Sequence, residues 1–143
     1  MTKILFVCHG NICRSPMAEF IMKDLVAKAG RSGEFEIASV ATSREEIGNN
    51  IYPPARRELS RHGIICPNRA ARQITEADLK YYDRIYYMDR LNAQYLRRLF
   101  GDRAEKCQPL LSQDVADPWY TGDFSQTWED IVDGCTRILE ELA

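Results

Sequence analysis

Residues 3–8 read Lys-Ile-Leu-Phe-Val-Cys, an apolar run with no polar alternation. A strand hydrophobic on both faces must be covered on both, which fits a parallel sheet between helices rather than a half-exposed antiparallel one. The run ends at Cys8 and gives way to the short polar stretch His9–Ser15. Pro16, a residue favoured at the first helical position, then opens a pattern in which Met17, Phe20, Ile21, Leu25 and Val26 recur at helical spacing. Gly30 and Gly33 stop it. A buried strand, a short loop and a helix make up the unit from which doubly wound sheets are assembled.

The rest of the chain repeats that unit. Phe35–Ala41 reads as a second strand and Thr42–Tyr52 as a loop. Pro53-Pro54 opens a helix running to His62. Thr75-Glu-Ala-Asp resembles a capping box and opens a short helix through Lys80. Arg84–Met88 reads as a third strand, Arg90–Phe100 as an amphipathic helix ended by Gly101, and Cys107–Leu111 as a short fourth strand. Ser112–Asp123 is a polar loop, and Phe124–Leu142 closes the chain as a helix. With no repeat, linker or low-complexity run, the expectation is a single domain over residues 1–143: α/β, doubly wound, with a four-stranded parallel sheet flanked by helices. Ligands of such sheets bind beyond the carboxyl ends of the strands, where Cys8 sits.

Composition narrows the function classes. Lys+Arg at 19 against Asp+Glu at 21 leaves a formal charge of −2, which argues against a dedicated nucleic-acid binder. No apolar run is long enough for a membrane span or a signal peptide. The five cysteines, at 8, 13, 66, 107 and 135, are odd in number and unlike a secreted disulfide framework, so a reduced, cytoplasmic protein is expected.

The segment from Cys8 to Ser15 carries the chemistry. Backbone N–H groups of a loop between a strand and a helix start can converge on one point, where the helix dipole favours an anion. A cysteine there, with Arg14 on the same loop, is expected to be the thiolate. Arg14 supplies a planar fork able to hold two phosphate oxygens, and Ser15 can donate a hydrogen bond to the sulfur. Gly10 permits a positive φ and close backbone approach, and Asn11 tolerates the left-handed region. A metal half-site at Cys8-His9…Cys13 lacks further ligands at suitable spacing, and no Walker A loop is present, so neither metal nor cofactor is expected. Phosphoryl transfer through cysteine also needs a proton donor. Asp117-Pro118-Trp119-Tyr120, after the fourth strand, offers a carboxylic acid on a stiffened loop with two aromatic residues that could wall a substrate.

Val7-Cys8-x-Gly10-Asn11-x-Cys13-Arg14-Ser15-Pro16, with the late Asp117-Pro118-Trp119, closely resembles the low-molecular-weight protein tyrosine phosphatase family. Ala41-Thr42-Ser43, Glu46-Ile47-Gly48-Asn49, His62-Gly63-Ile64, Ala71-Arg72-Gln73-Ile74-Thr75 and Met88-Asp89 follow as landmarks in the right order. The resemblance implies a phosphate-binding loop formed by His9, Gly10, Asn11, Ile12, Cys13, Arg14 and Ser15. It implies Cys8 as nucleophile, Arg14 as phosphate clamp and Asp117 as general acid, then base. Asn11, Ser15 and Ser39 would support the loop, and Cys13 would be the partner for a reversible disulfide with Cys8, as suits a second thiol beside an accessible thiolate.

The departures are specific. Glu45 stands where relatives acting on aromatic substrates carry Trp or Tyr, so the pocket wall is expected from Ile12, Glu45, Trp119 and Tyr120. A carboxylate at the rim should weaken ordinary phosphotyrosine substrates or shift preference to basic sequences. Arg69 stands where many relatives have a histidine facing the aspartate corresponding to Asp89, and an Arg69–Asp89 ion pair supporting the loop is expected instead. His9 should point to the rim rather than join catalysis.

The function expected is hydrolysis of phosphotyrosine in protein substrates through a phosphocysteine, releasing inorganic phosphate, by a monomer or weak dimer without nucleic-acid or membrane partners. A phosphoarginine phosphatase on the same scaffold is the alternative, although such relatives tend to carry Thr where Ile12 stands. Thiol-dependent arsenate reduction would need two further nearby cysteines, and Cys66, Cys107 and Cys135 are widely separated. A non-catalytic phosphotyrosine-binding module is the reading from another class, although Cys8, Arg14 and Asp117 are all present.

Overall fold

A computed structural model describes residues 1–142. Its first strand, β1 (Thr2–Cys8), is the apolar run, and Ile4, Leu5, Phe6 and Val7 are each fully buried. At ~1.5–3 kcal/mol per buried apolar side chain, these four residues alone weigh heavily in a marginally stable domain. Its two faces feed two cores: Ile4, Phe6 and Cys8 pack on one side of the sheet, Leu5 and Val7 on the other. That period of two explains the absence of polar alternation.

The remaining elements are α1 (Arg14–Lys28), β2 (Phe35–Ala41), α2 (Pro53–Arg61), α3 (Glu76–Tyr81), β3 (Arg84–Tyr87), α4 (Arg90–Phe100), β4 (Cys107–Pro109), α5 (Pro118–Thr121) and α6 (Phe124–Glu141). The sheet is four-stranded and parallel throughout, in the order β2-β1-β3-β4. Helices α1, α2 and α6 contribute to the core containing Phe6, whereas α3 and α4 contribute to the core containing Leu5. Because the chain leaves β1 toward β2 and later returns on the opposite side as β3, the loops after β1 and β3 diverge and open a crevice at the carboxyl edge.

Local expectations hold closely, with informative differences. The capping box of α3 forms in both directions between Thr75 and Asp78. Helix α1 starts at Arg14, so Pro16 occupies the third helical position, where its missing N–H is still one that no carbonyl of the helix would receive. β4 is shorter than expected, ending at Pro109; the Leu110 N–H still donates to the Tyr87 carbonyl at 2.9 Å, while Leu110 and Leu111 join the core beside Phe6. Two 3-10 turns, Ser32–Glu34 and Gly101–Lys106, and the single turn α5 were not expected.

Candidate active site

The crevice is lined by loops after β1, β2 and β4, and Asp89, after β3, braces it through Arg14. Cys8 ends β1 with its side chain 2% exposed, and residues 9–13 turn the chain into α1. Asn11 takes φ 58°, the left-handed conformation expected of it. Of the two features expected of it, Gly10 shows one. It does not adopt a positive φ, but a Cβ there would lie 3.2 Å from Glu46 Cγ. A side chain there would have to displace Glu46 by a few tenths of an ångström.

The sulfur lies at the start of α1. The Ser15 backbone N–H donates to Cys8 Sγ at 3.3 Å, and Ser15 Oγ is 3.1 Å from the same sulfur. Asn11 Nδ2 donates to Ser15 Oγ at 2.8 Å and to Ser39 Oγ at 3.0 Å, so one amide orients two hydroxyls. Ser39 in turn donates to Glu19 Oε1 at 2.7 Å. Glu19 was not singled out from the sequence, and its position one turn into α1 gives no signal without the register of β2.

Arg14 is 2% exposed and held from two directions. Its Nη1 donates to Asp89 Oδ2 at 2.6 Å and to the Val115 carbonyl at 2.9 Å, while Nη2 donates to Asp117 Oδ2 at 3.3 Å. Burial alone would weaken its hold on a proton, but Cys8, Asp117 and Asp89 more than offset this and keep the guanidinium charged. Arg14 Nε is buried and unpartnered among the described residues. A buried unpaired donor needs an account, and a bound anion supplies one.

The expected Arg69–Asp89 ion pair does not form among the described residues. Asp89 is taken by Arg14 and, through Oδ1, by the Asn92 N–H as the cap of α4. Arg69 reaches the loop between β1 and α1 itself, donating to the Asn11 carbonyl at 2.7 Å and to Asn11 Oδ1. Both residues touch the loop machinery, but through different partners. The physical reason is strand order: β3 neighbours β1, which sets Asp89 beside Arg14.

Asp117 caps α5, accepting from the Trp119 N–H at 3.1 Å through Oδ1. Its Oδ2 faces Arg14, so the two oxygens have separate partners. Cys8, His9, Gly10, Ile12, Cys13, Arg14, Glu45, Glu46, Asp117, Trp119 and Tyr120 line a cavity of about 150 Å³. All four residues expected in its wall are therefore present. Glu46 was missed, and Tyr52 backs the wall with its ring 4.7 Å from that of Trp119. His9 lies at the rim, its Nε2 2.8 Å from Glu45 Oε2, and its ring meets Tyr95 edge-on at 6.2 Å.

Cys13 is buried, and burial, with a smaller effect from neighbouring Cys8, pushes its thiol pKa well up. Burial also raises the thiols of Cys107, to about 11, and Cys135. All five cysteines are free, and no three His, Cys, Asp or Glu side chains converge as a metal site among the described residues.

A model of the family described as low molecular weight phosphotyrosine protein phosphatase matches residues 3–143. The low molecular weight protein-tyrosine-phosphatase YfkJ of Bacillus subtilis is 39% identical over 150 residues, covering 99% of this chain and 96% of the relative. Among solved structures, the chain is similar to SP-PTP, a low molecular weight protein tyrosine phosphatase of Streptococcus pyogenes. That match has a TM-score of 0.93 and 38% identity over 100% of this chain and 94% of the other. It is also similar to DARP, a drosophila arginine phosphatase, with a TM-score of 0.89 and 29% identity over 99% and 98% of the two chains.

Proposed function

The chain belongs to the low molecular weight phosphotyrosine protein phosphatase family, an enzyme family of phosphate-ester hydrolases, and we propose that it works on phosphotyrosine in proteins through a phosphocysteine on Cys8. One observation carries this reading: a buried arginine with a spare Nε, its other nitrogens braced by Asp89, Val115 and Asp117, on the same loop as a cysteine at a helix start.

Cys8 Sγ attacks phosphorus from the loop side. The bond from phosphorus to the tyrosine oxygen breaks, and its electrons leave with the phenolate, whose free pKa near 10 makes it a poor leaving group. Asp117, protonated, delivers a proton to that oxygen. Arg14 and the loop N–H groups receive the phosphoryl charge, an arrangement in which one lost donor typically costs ~10²–10³ in rate. Water then attacks the phosphocysteine, Asp117 takes its proton, the sulfur–phosphorus bond breaks, and inorganic phosphate leaves with the thiolate restored.

Two finer readings belong to the same site. Cys13, whose raised pKa keeps it a thiol, acts second in redox regulation on this reading, which rests on its nearness to Cys8 along the chain. Hydrogen peroxide oxidises the Cys8 thiolate to sulfenic acid, Cys13 displaces water to form the disulfide, and a dithiol returns both. Glu45 and Glu46 at the rim favour a basic residue beside the phosphotyrosine, with Glu45 steadied by His9.

The test is a single set of assays. Aryl phosphate and phosphotyrosine peptide hydrolysis should survive EDTA and fall more than ~10³-fold in Cys8→Ser, because a serine hydroxyl without a base is a weak nucleophile. Binding of phosphotyrosine without turnover would favour a non-catalytic module. Similarity to an arginine phosphatase makes phosphoarginine peptide the necessary comparison, and a faster rate on it would reassign the substrate. Under peroxide excess, where an unprotected sulfenic acid is oxidised on to sulfinic acid, inactivation should be reversed by a dithiol in the parent and become irreversible in Cys13→Ala. Equal reversibility would remove the disulfide.

A further inference from the structure

Trp119 lines both the catalytic cavity and a second, larger cleft of about 460 Å³ between α2 and the α5–α6 junction, so the two are contiguous. Tyr52, Trp119 and Phe124 form the aromatic wall of this cleft, with Tyr52 at 4.7 Å from Trp119 and 6.1 Å from Phe124 between ring centroids. The indole of Trp119 is half exposed there, an uncommon place for so large an apolar surface unless something covers it.

Four charged side chains border the same cleft: Arg57, Glu58, Arg61 and Asp123. Three are committed to partners. Glu58 is 3% exposed, and its two oxygens take Arg61 at 2.8 Å and His62 at 3.0 Å. Asp123 caps α6, with Oδ1 accepting from the Ser125 hydroxyl at 2.9 Å and the Gln126 N–H at 3.0 Å. Arg57 is exposed on α2 and makes no ion pair or side-chain hydrogen bond among the described residues. Its guanidinium is therefore wholly free for a ligand beside a flat aromatic wall, whereas Arg61 spends one nitrogen on Glu58.

We propose that this cleft is a second substrate subsite, which takes a carboxylate side chain of the phosphotyrosine-bearing polypeptide on Arg57 while the adjoining residues lie against Trp119 and Phe124. The catalytic cavity admits one side chain, so the backbone on either side of the phosphotyrosine must cross its rim. Trp119 is the part of that rim continuous with the cleft. A guanidinium fork holds a carboxylate in two parallel hydrogen bonds, which a solvated lysine could not match. Glu45 and Glu46, from the loop after β2, line the catalytic cavity but not the cleft, so acidic groups border the one and the free guanidinium of Arg57 the other.

This inference rests on the phosphotyrosine reading above, and the experiment separates the two. Phosphotyrosine peptides with one glutamate, glutamine or lysine placed in turn at each flanking position are compared in kcat/KM. A glutamate on one side is expected to raise kcat/KM about three- to fivefold, through KM. Arg57→Gln should erase that gain and leave aryl phosphate hydrolysis unchanged, and Arg57→Glu should transfer the preference to lysine at the same position. Arg57 is on the exposed side of its helix, and glutamine is nearly as good a helix former, so folding is preserved. Binding of the same peptides to Cys8→Ser gives the subsite a readout even without turnover. No glutamate preference in the parent, or one that persists in Arg57→Gln, overturns the subsite. Failure of the parent to hydrolyse any aryl phosphate would instead strike at the catalytic reading.

Discussion

Asp117 has two oxygens with different neighbours, and the division suits an acid. Oδ1 is fixed by the Trp119 N–H, while Oδ2 lies beside Arg14 on the cavity side. The capping bond sets the carboxyl rotamer without occupying the oxygen that would carry a proton in the proposed mechanism. Asp117→Ala should therefore slow a substrate with a poor leaving group, such as phenyl phosphate, by ~10²-fold or more, and an activated aryl phosphate much less. Equal losses on both would assign Asp117 to structure alone. Asn11 shows the same economy at residue scale, with one amide orienting Ser15 and Ser39 while its oxygen receives Arg69. The left-handed conformation of Asn11 was legible in the sequence because Asn favours it, whereas Arg69 was assigned to the wrong partner. The distance from residue 69 to residue 11 along the chain carries no information about their separation in space.

At the scale of elements, α6 lies close against the segment that follows β4. A Cβ on Gly134 would meet Leu110 Cγ at 2.5 Å and Cδ1 at 2.7 Å, distances that real side chains do not sustain. Helix propensity alone favours alanine there by ~1 kcal/mol, while overpacking a filled core costs ~1–3 kcal/mol. Gly134→Ala is thus expected to destabilise by ~1–2 kcal/mol, seen as a lower urea midpoint with unchanged slope. A midpoint at or above that of the parent would mean Leu110 yields freely. The helix α4 and strand β2 could be delimited from pattern because capping signals and apolar runs are local. The end of β4 could not, since Leu110 and Leu111 read equally well as strand or as core outside it.

Across the whole molecule, charge is nearly balanced, at −2, and is resolved into local pairs. Arg72 and Asp78 form one of them, two nitrogens to two oxygens at 2.8 and 2.9 Å, tying the segment that backs Asn11 to α3. Burial would raise the Asp78 pKa, but bonds from Arg72 and Thr75 outweigh it and hold it below the ordinary value. A depressed carboxylate stabilises the fold fully above its unfolded pKa of ~3.9, and that contribution fades as pH falls through the folded value. Asp78→Asn should therefore cost ~1–2 kcal/mol at neutral pH, with the gap to the parent closing in acid. A pH-independent gap in urea unfolding would assign the loss to packing instead. The doubly wound class and the motif that carries the family resemblance were legible in the sequence alone. Both are written in contiguous residues, one in a strand without alternation and the other in eight residues between a strand and a helix. Only the tertiary structure decided which charges meet. Arg14 finds Asp89 and Asp117, Arg69 finds Asn11, and His9 finds Glu45, because strand order and packing, not spacing along the chain, bring distant loops to the same edge of the sheet.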